Sequence, residues 1–433
     1  MKISRRDSTA ILEALSGGVV PSRGLQHIMV GRKDEGKQIL EELKSVSEGE
    51  SIVKFLIGDF GSGKSFIQGL IKQVGLNHDF VVTKADLSAD KRLSGVDRAR
   101  PLYTDLIKSM STKTTEGNAL NEVLDKWITN IQSKVKKSDD FNTSDLNDAG
   151  LVAAIKIAIT EEVKKMDFLS GGYDFSTVLV NYFEGFINGD IETQRNAIRW
   201  ISGEYTTRTE ARQDLGVRSI IDDESYYDYL KVLSHFVQDV GYAGLIVNFD
   251  EAINLYKITH TVSRERNYEM ILSMFNDCLQ GSLGGLYITF SGTHDFLKDE
   301  RRGLYSYGAL RRRLEVNRYE TDEFRDMSQP VIQLTPLKQE EIFVLLTIIR
   351  DIHAKHHKYD ISITSDEIKG FIIQKFSMPG ADQFTTVGHV IKRFLDGLNI
   401  LLQNPTYDKG RIFIQEQEEA GESLNVMDRF QST

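Results

Sequence analysis

A glycine-rich segment in the first quarter of the chain carries the residue types that hold a phosphate group. It reads Gly58-Asp59-Phe60-Gly61-Ser62-Gly63-Lys64-Ser65, is followed by Phe66, and fits the pattern G-x-x-x-x-G-K-[ST]. Glycines let backbone N–H groups curl around phosphates, and the helix that follows points its positive end at the anion. Lys64 is expected to reach the β- and γ-phosphates, and the Ser65 hydroxyl to ligate magnesium. The segment therefore predicts binding of ATP with Mg²⁺.

Two adjacent carboxylates end a hydrophobic run much later in the chain. The run is Gly244-Leu245-Ile246-Val247-Asn248-Phe249-Asp250-Glu251, the Walker B pattern. Asp250 is expected to hold magnesium through water, and Glu251 to polarise the attacking water. The alternative is a pair of solvated carboxylates at the end of a strand.

Hydroxyl and guanidinium groups follow the acids. Either Ser291 or Thr293, at the end of a fourth hydrophobic run, is expected to sense the γ-phosphate, unless both are ordinary turn residues. Arg311, Arg312 and Arg313 stand in a row, and one of them is a candidate arginine finger. The alternative for these arginines is a solvated basic helix face.

Three histidines, His353, His356 and His357, lie at helical spacing. Histidines four residues apart can bind zinc, but no acidic or cysteine partner falls at matching spacing. We therefore interpret these histidines as an exposed helix end.

Five short apolar runs must position these groups. Residues 52–57, 80–85, 245–249, 286–291 and 331–334 are expected to be strands. Helical patterns separate them, which is typical of a parallel sheet covered on both faces. The predicted fold class is α/β, with a P-loop parallel sheet core, a large helical insertion and a C-terminal helical lid.

The uneven spacing of the strands predicts the domain organisation. About 160 residues separate the second strand from the third, whereas a crossover needs only about a dozen. The expected parts are an N-terminal arm and helix at 1–50, an ATPase core at 51–335 with its insertion at about 100–240, a lid at 336–404 and a tail at 405–433.

Composition bears on disulfide bonds, membrane association and nucleic-acid binding. The chain has 433 residues, a net charge of −10 and a single cysteine, Cys278, so it cannot form an internal disulfide. It contains no apolar stretch long enough to span a bilayer. We expect a cytoplasmic protein with no membrane partner. The acidic balance is unusual for a dedicated nucleic-acid binder, so DNA binding would require a local basic stripe.

The ordered set of motifs resembles the AAA+ class of ATPases. Val30-Gly31-Arg32-Lys33-Asp34-Glu35 is similar to the box that precedes the P-loop in that class and lies beside the adenine, which makes Gly31 and Arg32 candidate nucleotide-binding residues. Leu334-Thr335-Pro336-Leu337 is similar to the start of the class's helical lid. The resemblance implies that the arginine segment faces an adjoining subunit, and hence a homo-oligomer. Similar proteins carry a second sensor arginine in the third lid helix, where this chain has Gly388; Lys392 and Arg393 are the candidate substitutes.

A narrower resemblance covers nearly the whole chain. Residues 211–218, 276–281, 291–293 and 301–310 resemble the ATP-binding proteins of the BREX bacteriophage-exclusion systems, and the length resembles the short BrxD-type members rather than the long BrxC-type ones. The resemblance implies an ATPase of bacterial or archaeal antiviral defence that assembles or remodels a complex on DNA. Its implied partners are other defence proteins, including a helicase, and DNA.

Two alternatives to the ATPase remain open. The first is a nucleotide-gated scaffold with negligible turnover. The second is a DNA-binding loader resembling replication-initiator ATPases, in which Lys134, Lys136 and Lys137 contact phosphates.

Overall fold

The described part of the chain forms two compact units. The computed structural model describes residues 3–138, 149–164, 170–281, 283–321, 324–361, 363–377, 386–410 and 412. The first unit takes its described residues from 1–36, 59–73 and 334–433, and the second from 37–58 and 74–333. Each unit has a hydrophobic core of its own. Most of the tail predicted at 405–433 lies outside the described residues.

The second unit is built on a five-stranded parallel sheet. The strands are β1 Ser51–Ile57, β2 Val81–Asp86, β3 Leu245–Asp250, β4 Leu286–Gly292 and β5 Val331–Gln333. Their order across the sheet is β2-β3-β4-β1-β5, and every pair is parallel. The carboxyl ends of all strands therefore lie at one edge of the sheet. The predicted α/β fold class is confirmed, and β4 is the additional strand between the strand that precedes the glycine segment and the strand that ends in the two acids.

Helices account for most of the remaining described residues. In chain order they are α1 Arg5–Ser16, α2 Lys33–Ser47, α3 Lys64–Asn77, α4 Ala99–Ser109, α5 Leu120–Ser138, α6 Ala149–Lys164, α7 Gly172–Asn188, α8 Ile191–Ile201, α9 Arg208–Leu215, α10 Tyr226–Asp239, α11 Ile253–Tyr256, α12 Thr261–Leu279, α13 His294–Lys298, α14 Gly308–Leu314, α15 Gln339–His357, α16 Ser365–Ser377 and α17 Val387–Gln403. Short 3₁₀ turns occur at Leu25–His27 and Leu304–Ser306. None of the described helices is both long enough and apolar enough to cross a bilayer.

The described part of the long interval between β2 and β3 is mostly helical. It contains helices α4 to α10, and large aromatic side chains form much of their shared core. Trp127 and Phe236 meet edge to face with ring centres 5.6 Å apart, and Trp200 meets Tyr229 at 5.2 Å. Such pairs each contribute about 0.5–1.5 kcal/mol beyond their burial, so this insertion has a specifically packed core.

The first unit has a core made by helices from both ends of the chain. Helices α15, α16 and α17, which lie in the segment predicted to be a lid, bury residues such as Ile349, Phe371 and Phe394, and Ile11 and Leu12 of α1 belong to the same cluster. Sequence periodicity identifies an apolar face on each helix, but it does not say which faces meet.

The histidines of α15 differ from their predicted exposure. His353 is buried, and its ring nitrogens contact the Tyr359 hydroxyl at 2.8 Å and Asn399 Oδ1 at 3.1 Å. Burial lowers the pKa of His353, which favours the neutral ring. The exposed interpretation is wrong for His353, because its partners include a residue of α17 far along the chain, and correct for His357.

Candidate functional site

The glycine segment forms a loop in which several backbone N–H groups have no acceptor among the described residues. Gly61 and Gly63 adopt φ values of 82° and 93°, a region in which a Cβ is strained. At Gly61 a Cβ would also lie only 2.8 Å from the side chain of Thr386. Within the described residues, the N–H groups of Gly61, Gly63, Ser65 and Phe66 have no hydrogen-bond acceptor. Four donors at the start of α3 form a cradle of the kind that phosphate oxygens occupy.

Lys64 and Ser65 begin helix α3 at this loop. The Lys64 ammonium donates to the carbonyl oxygen of Asp59 at 2.8 Å and lies 5.5 Å from the centre of the Phe60 ring. Ser65 is exposed at the first turn of the helix, so its hydroxyl is accessible to a ligand. Phe66 points the other way and packs against the core of the first unit, so only its N–H faces the cradle.

Arg32 holds the glycine loop in place through hydrogen bonds to backbone carbonyls. Its buried guanidinium donates to the carbonyl oxygen of Ser62 at 2.7 Å and to that of Thr335, and it is ion-paired with Glu35 at 3.3 Å. Gly31 has a φ of 66°, and a Cβ there would collide with the carboxylate of Glu341 in the first turn of α15. The segment before the P-loop therefore fixes the backbone of the loop and joins it to Thr335 and to the first turn of α15.

Asp250 is a buried carboxylate at the end of β3 in the second unit. One oxygen accepts hydrogen bonds from the Ser291 hydroxyl and, at 2.9 Å, from the Glu251 N–H. The other accepts from the Lys84 ammonium at 2.8 Å. Burial raises the pKa of Asp250, but Lys84 and these hydrogen bonds outweigh burial and hold the pKa below its usual value. Asp250 is therefore ionised at neutral pH, as a metal ligand must be.

Glu251 has a backbone conformation that non-glycine residues rarely adopt. Its φ is 56°, in the left-handed region. Such a conformation costs about 1–3 kcal/mol and tends to occur where function requires it. The side chain is exposed and has no hydrogen bond or ion pair among the described residues. The turn thus leaves the Glu251 carboxylate exposed and without a partner among the described residues.

The two candidate sensor hydroxyls have different partners. Ser291 donates its hydroxyl proton to Asp250. Thr293 begins helix α13, where its oxygen accepts the Phe296 N–H at 3.4 Å. The Thr293 proton has no acceptor among the described residues, so Thr293 keeps a donor for a phosphate oxygen and Ser291 does not.

The three adjacent arginines are also in different environments. Arg311 is paired with Glu300 at 2.9 Å, and Arg313 donates to the carbonyl oxygen of Ala309 at 2.9 Å on its own helix. Arg312 is exposed and has no hydrogen bond or ion pair to any described residue. The structure therefore distinguishes Arg312 as the arginine that can reach an external anion.

Lys84 is a site residue that sequence analysis misses. It lies on β2, contacts Asp250 across the sheet and also lies 3.6 Å from Asp86. A lysine inside a hydrophobic strand, two residues before an aspartate, is the only local signal, and it does not identify the partner. Strand register decides the contact, because β2 pairs with β3 and places Lys84 beside Asn248.

We predict that replacing Lys84 with methionine destabilises the second unit by about 1 kcal/mol, because it leaves Asp250 buried without its cation. The effect is modest since the Lys84 side chain is 44% exposed. Denaturant unfolding measures it, with Lys108→Met as the control, because Lys108 pairs with Glu204 at the surface. Equal losses in the two variants would contradict a specific role for the Lys84–Asp250 pair.

Comparison with known proteins decides the family. A sequence model of the BREX system ATP-binding proteins BrxC/D matches residues 3–417. The chain belongs to this family. The match includes the glycine loop, the acids at the end of β3 and the arginine helix, so the predicted resemblance to the BrxC/D family is confirmed. A search of curated proteins found no match to this BrxC/D member.

Proposed function

We propose that this BrxC/D family member binds ATP with magnesium, hydrolyses it, and uses the change to assemble or remodel a BREX complex on DNA. The observation that carries the proposal is the glycine loop, whose N–H groups at Gly61, Gly63, Ser65 and Phe66 lack acceptors among the described residues. A family described as ATP-binding has in this loop a cradle suited to the phosphates. The partners that we propose are other BREX proteins.

The proposed metal site uses oxygen ligands, which Mg²⁺ prefers. Ser65 offers an exposed hydroxyl and Asp250 an ionised carboxylate, so the donor chemistry fits the ion. Bound magnesium would neutralise charge on the β- and γ-phosphates. Within the second unit, β1 and β3 are separated only by β4 and end at the same edge of the sheet.

Three side chains would act on the terminal phosphate. Glu251, exposed and without a partner in the part of the chain that the structure describes, would orient and polarise the attacking water. Thr293 would donate its hydroxyl proton to a γ-phosphate oxygen. Arg312 would supply positive charge to the ATP of a neighbouring subunit, as an arginine finger does.

A scaffold with negligible turnover is the second candidate, and one observation favours it. Gly388 lies in the first turn of α17, where similar ATPases carry a sensor arginine, and it has no side chain to contact a nucleotide. Lys392 and Arg393 are exposed one turn further along the helix. The scaffold predicts tight ATP binding without phosphate release.

Replacement of Glu251 with glutamine separates the two candidates. We expect Glu251→Gln to bind ATP as tightly as wild type but to hydrolyse it about 10²–10⁴-fold more slowly, because the near-isosteric amide cannot polarise water. Phosphate release and binding of a fluorescent ATP analogue measure the two effects. Glu269→Gln, an exposed carboxylate on α12, is the control. Wild-type turnover in Glu251→Gln would assign the base elsewhere.

A further inference from the structure

A cavity of about 280 Å³ lies in the second unit, between the loop after β2 and the turn that joins α11 to α12. The side chains that matter here are those of Arg92, Asn254, Lys257, Thr259, His260 and Ser263. None of its described lining residues is acidic. The chain as a whole carries a net charge of −10, whereas this concave surface is lined by an arginine, a lysine and a histidine.

The cations of this cavity have no protein anion to neutralise them. The Arg92 Nε atom is buried without a hydrogen-bond partner, and its guanidinium makes no hydrogen bond or ion pair among the described residues. Lys257 is exposed and is equally unpaired in the described part of the chain. Buried polar atoms of folded proteins nearly always have partners, so the Arg92 guanidinium has hydrogen-bonding capacity left for a water molecule or an anion.

The donors of the cavity converge at the start of helix α12. His260 caps this helix, and its Nδ1 accepts the Ser263 N–H at 3.3 Å. That bond leaves Nε2 as the protonated nitrogen of a neutral His260 ring, free to donate. The cavity also contains the hydroxyls of Thr259 and Ser263, which can donate hydrogen bonds. The positive end of the 19-residue helix α12 adds to the positive electrostatic potential there.

The cavity walls are held in place before any ligand binds. Arg264, itself buried, donates to the carbonyl oxygen of Ile258 at 2.7 Å, and Arg302 donates to that of Tyr256 at 3.1 Å. The Asn254 amide donates to the Leu87 carbonyl at 2.7 Å and so ties the turn to the loop after β2. A preorganised site pays little ordering cost on binding.

Two carboxylates near the cavity, Asp90 and Asp299, are already engaged. Asp90, in the loop after β2, is ion-paired with Arg98. Asp299 accepts the Tyr256 hydroxyl at 3.0 Å and the N–H groups of Arg301 and Arg302. These carboxylates therefore do not compete for Arg92 and Lys257.

We propose that this cavity binds a phosphate group of the DNA backbone. Arginine, lysine, hydroxyl groups and a helix start are the groups that contact DNA phosphates. The described lining residues include no tryptophan, tyrosine or phenylalanine, so a base could stack only on His260 or Arg92, and the cavity favours the backbone phosphate over a free nucleotide. The inference rests on the proposed function, which places the protein on DNA.

The cavity is joined to the acids at the end of β3 by short backbone links. The Leu87 N–H donates to the Asp250 carbonyl at 2.9 Å, and the Asn254 N–H donates to that of Glu251 at 2.9 Å. Each wall of the cavity is therefore hydrogen-bonded to the turn that contains Asp250 and Glu251. A shift of the cavity walls on DNA binding would be transmitted to Glu251 through these two hydrogen bonds.

The test compares two charge-reversed variants that carry the same change in charge. One is Arg92→Glu with Lys257→Glu; the control is Lys136→Glu with Lys137→Glu, which removes the alternative phosphate contacts on α5. Fluorescence anisotropy with a short labelled duplex measures affinity across salt concentrations. We expect the cavity variant to lose about tenfold or more in affinity and about one unit of the log–log salt slope, and the control to lose much less.

Several results would overturn the proposal. The first is that the wild type does not bind DNA. The second is that the two variants lose equal amounts of DNA affinity. The third is that inorganic phosphate does not displace DNA from the wild type at any concentration. A cavity that binds inorganic phosphate while the protein ignores DNA would also overturn it. Titration of a fluorescent ATP analogue into every variant keeps the two proposals apart, because wild-type ATP affinity leaves the ATPase proposal intact. If charge reversal prevents folding, the milder double variant Arg92→Gln with Lys257→Gln replaces it in the DNA-binding comparison.

Discussion

Replacement of Lys64 with alanine should abolish tight ATP binding. Lys64 is the only side-chain cation within the glycine segment, and it begins the helix whose N–H groups form the cradle. Its ammonium now satisfies the Asp59 carbonyl, a neutral acceptor that the β- and γ-phosphates would outcompete. Each hydrogen bond to a charged group contributes about 1.5–3 kcal/mol, so loss of contacts to two phosphates should weaken binding by about 100-fold or more.

Titration of a fluorescent ATP analogue measures this loss. Lys72→Ala is the matched control. Lys72 lies on the same helix two turns beyond the loop, and its replacement removes the same charge. Similar dissociation constants for wild type and Lys64→Ala would refute the assignment of the phosphate site. A loss of the same size in Lys72→Ala would indicate a general effect of charge or folding.

Replacement of Arg312 with alanine should lower ATP hydrolysis by about 10³–10⁵-fold, if the protein works as an oligomer and Arg312 acts on a neighbour's ATP. Successive residues of a helix point about 100° apart, so three adjacent arginines cannot all reach one phosphate. Arg311 and Arg313 have partners within the described chain, and Arg312 has none there. Arg311→Ala and Arg313→Ala are therefore matched controls that should keep most activity.

Mixing of variants tests whether the arginine acts between subunits. A Lys64→Ala subunit keeps Arg312 but has a dead site, whereas an Arg312→Ala subunit keeps a live site. Together they should recover activity that neither shows alone, and wild-type activity per subunit should rise with concentration. Flat concentration dependence without rescue, in a protein that hydrolyses ATP, would return the three arginines to a solvated helix face.

The elements around the candidate site could be predicted because their signals are local. The strands are short runs of β-branched and aromatic residues, and all five occur within about two residues of their expected bounds. The positive φ angles of Gly61 and Gly63 follow from the residue type, since only glycine adopts them without strain. The helical interval between β2 and β3 also follows from length and periodicity.

The features that could not be predicted depend on residues far apart in sequence. The left-handed φ of Glu251 has no signal in a residue type that normally avoids it. The Lys84–Asp250 pair needs the register of two strands that are separated by the whole insertion. His353 was expected at an exposed helix end, and its burial depends on α17. Sequence motifs name the candidate groups, whereas tertiary contacts distinguish Arg312 from its neighbours and Thr293 from Ser291.

The most direct test of the central claim is phosphate release by the purified wild-type protein, with the Glu251→Gln variant beside it as the blank. We expect many turnovers per bound ATP with magnesium, none after chelation of the metal, and a loss of turnover in Glu251→Gln that leaves ATP binding intact. Tight ATP binding with no phosphate release at any protein concentration, even with DNA and other BREX proteins present, would contradict the account and leave a nucleotide-gated scaffold.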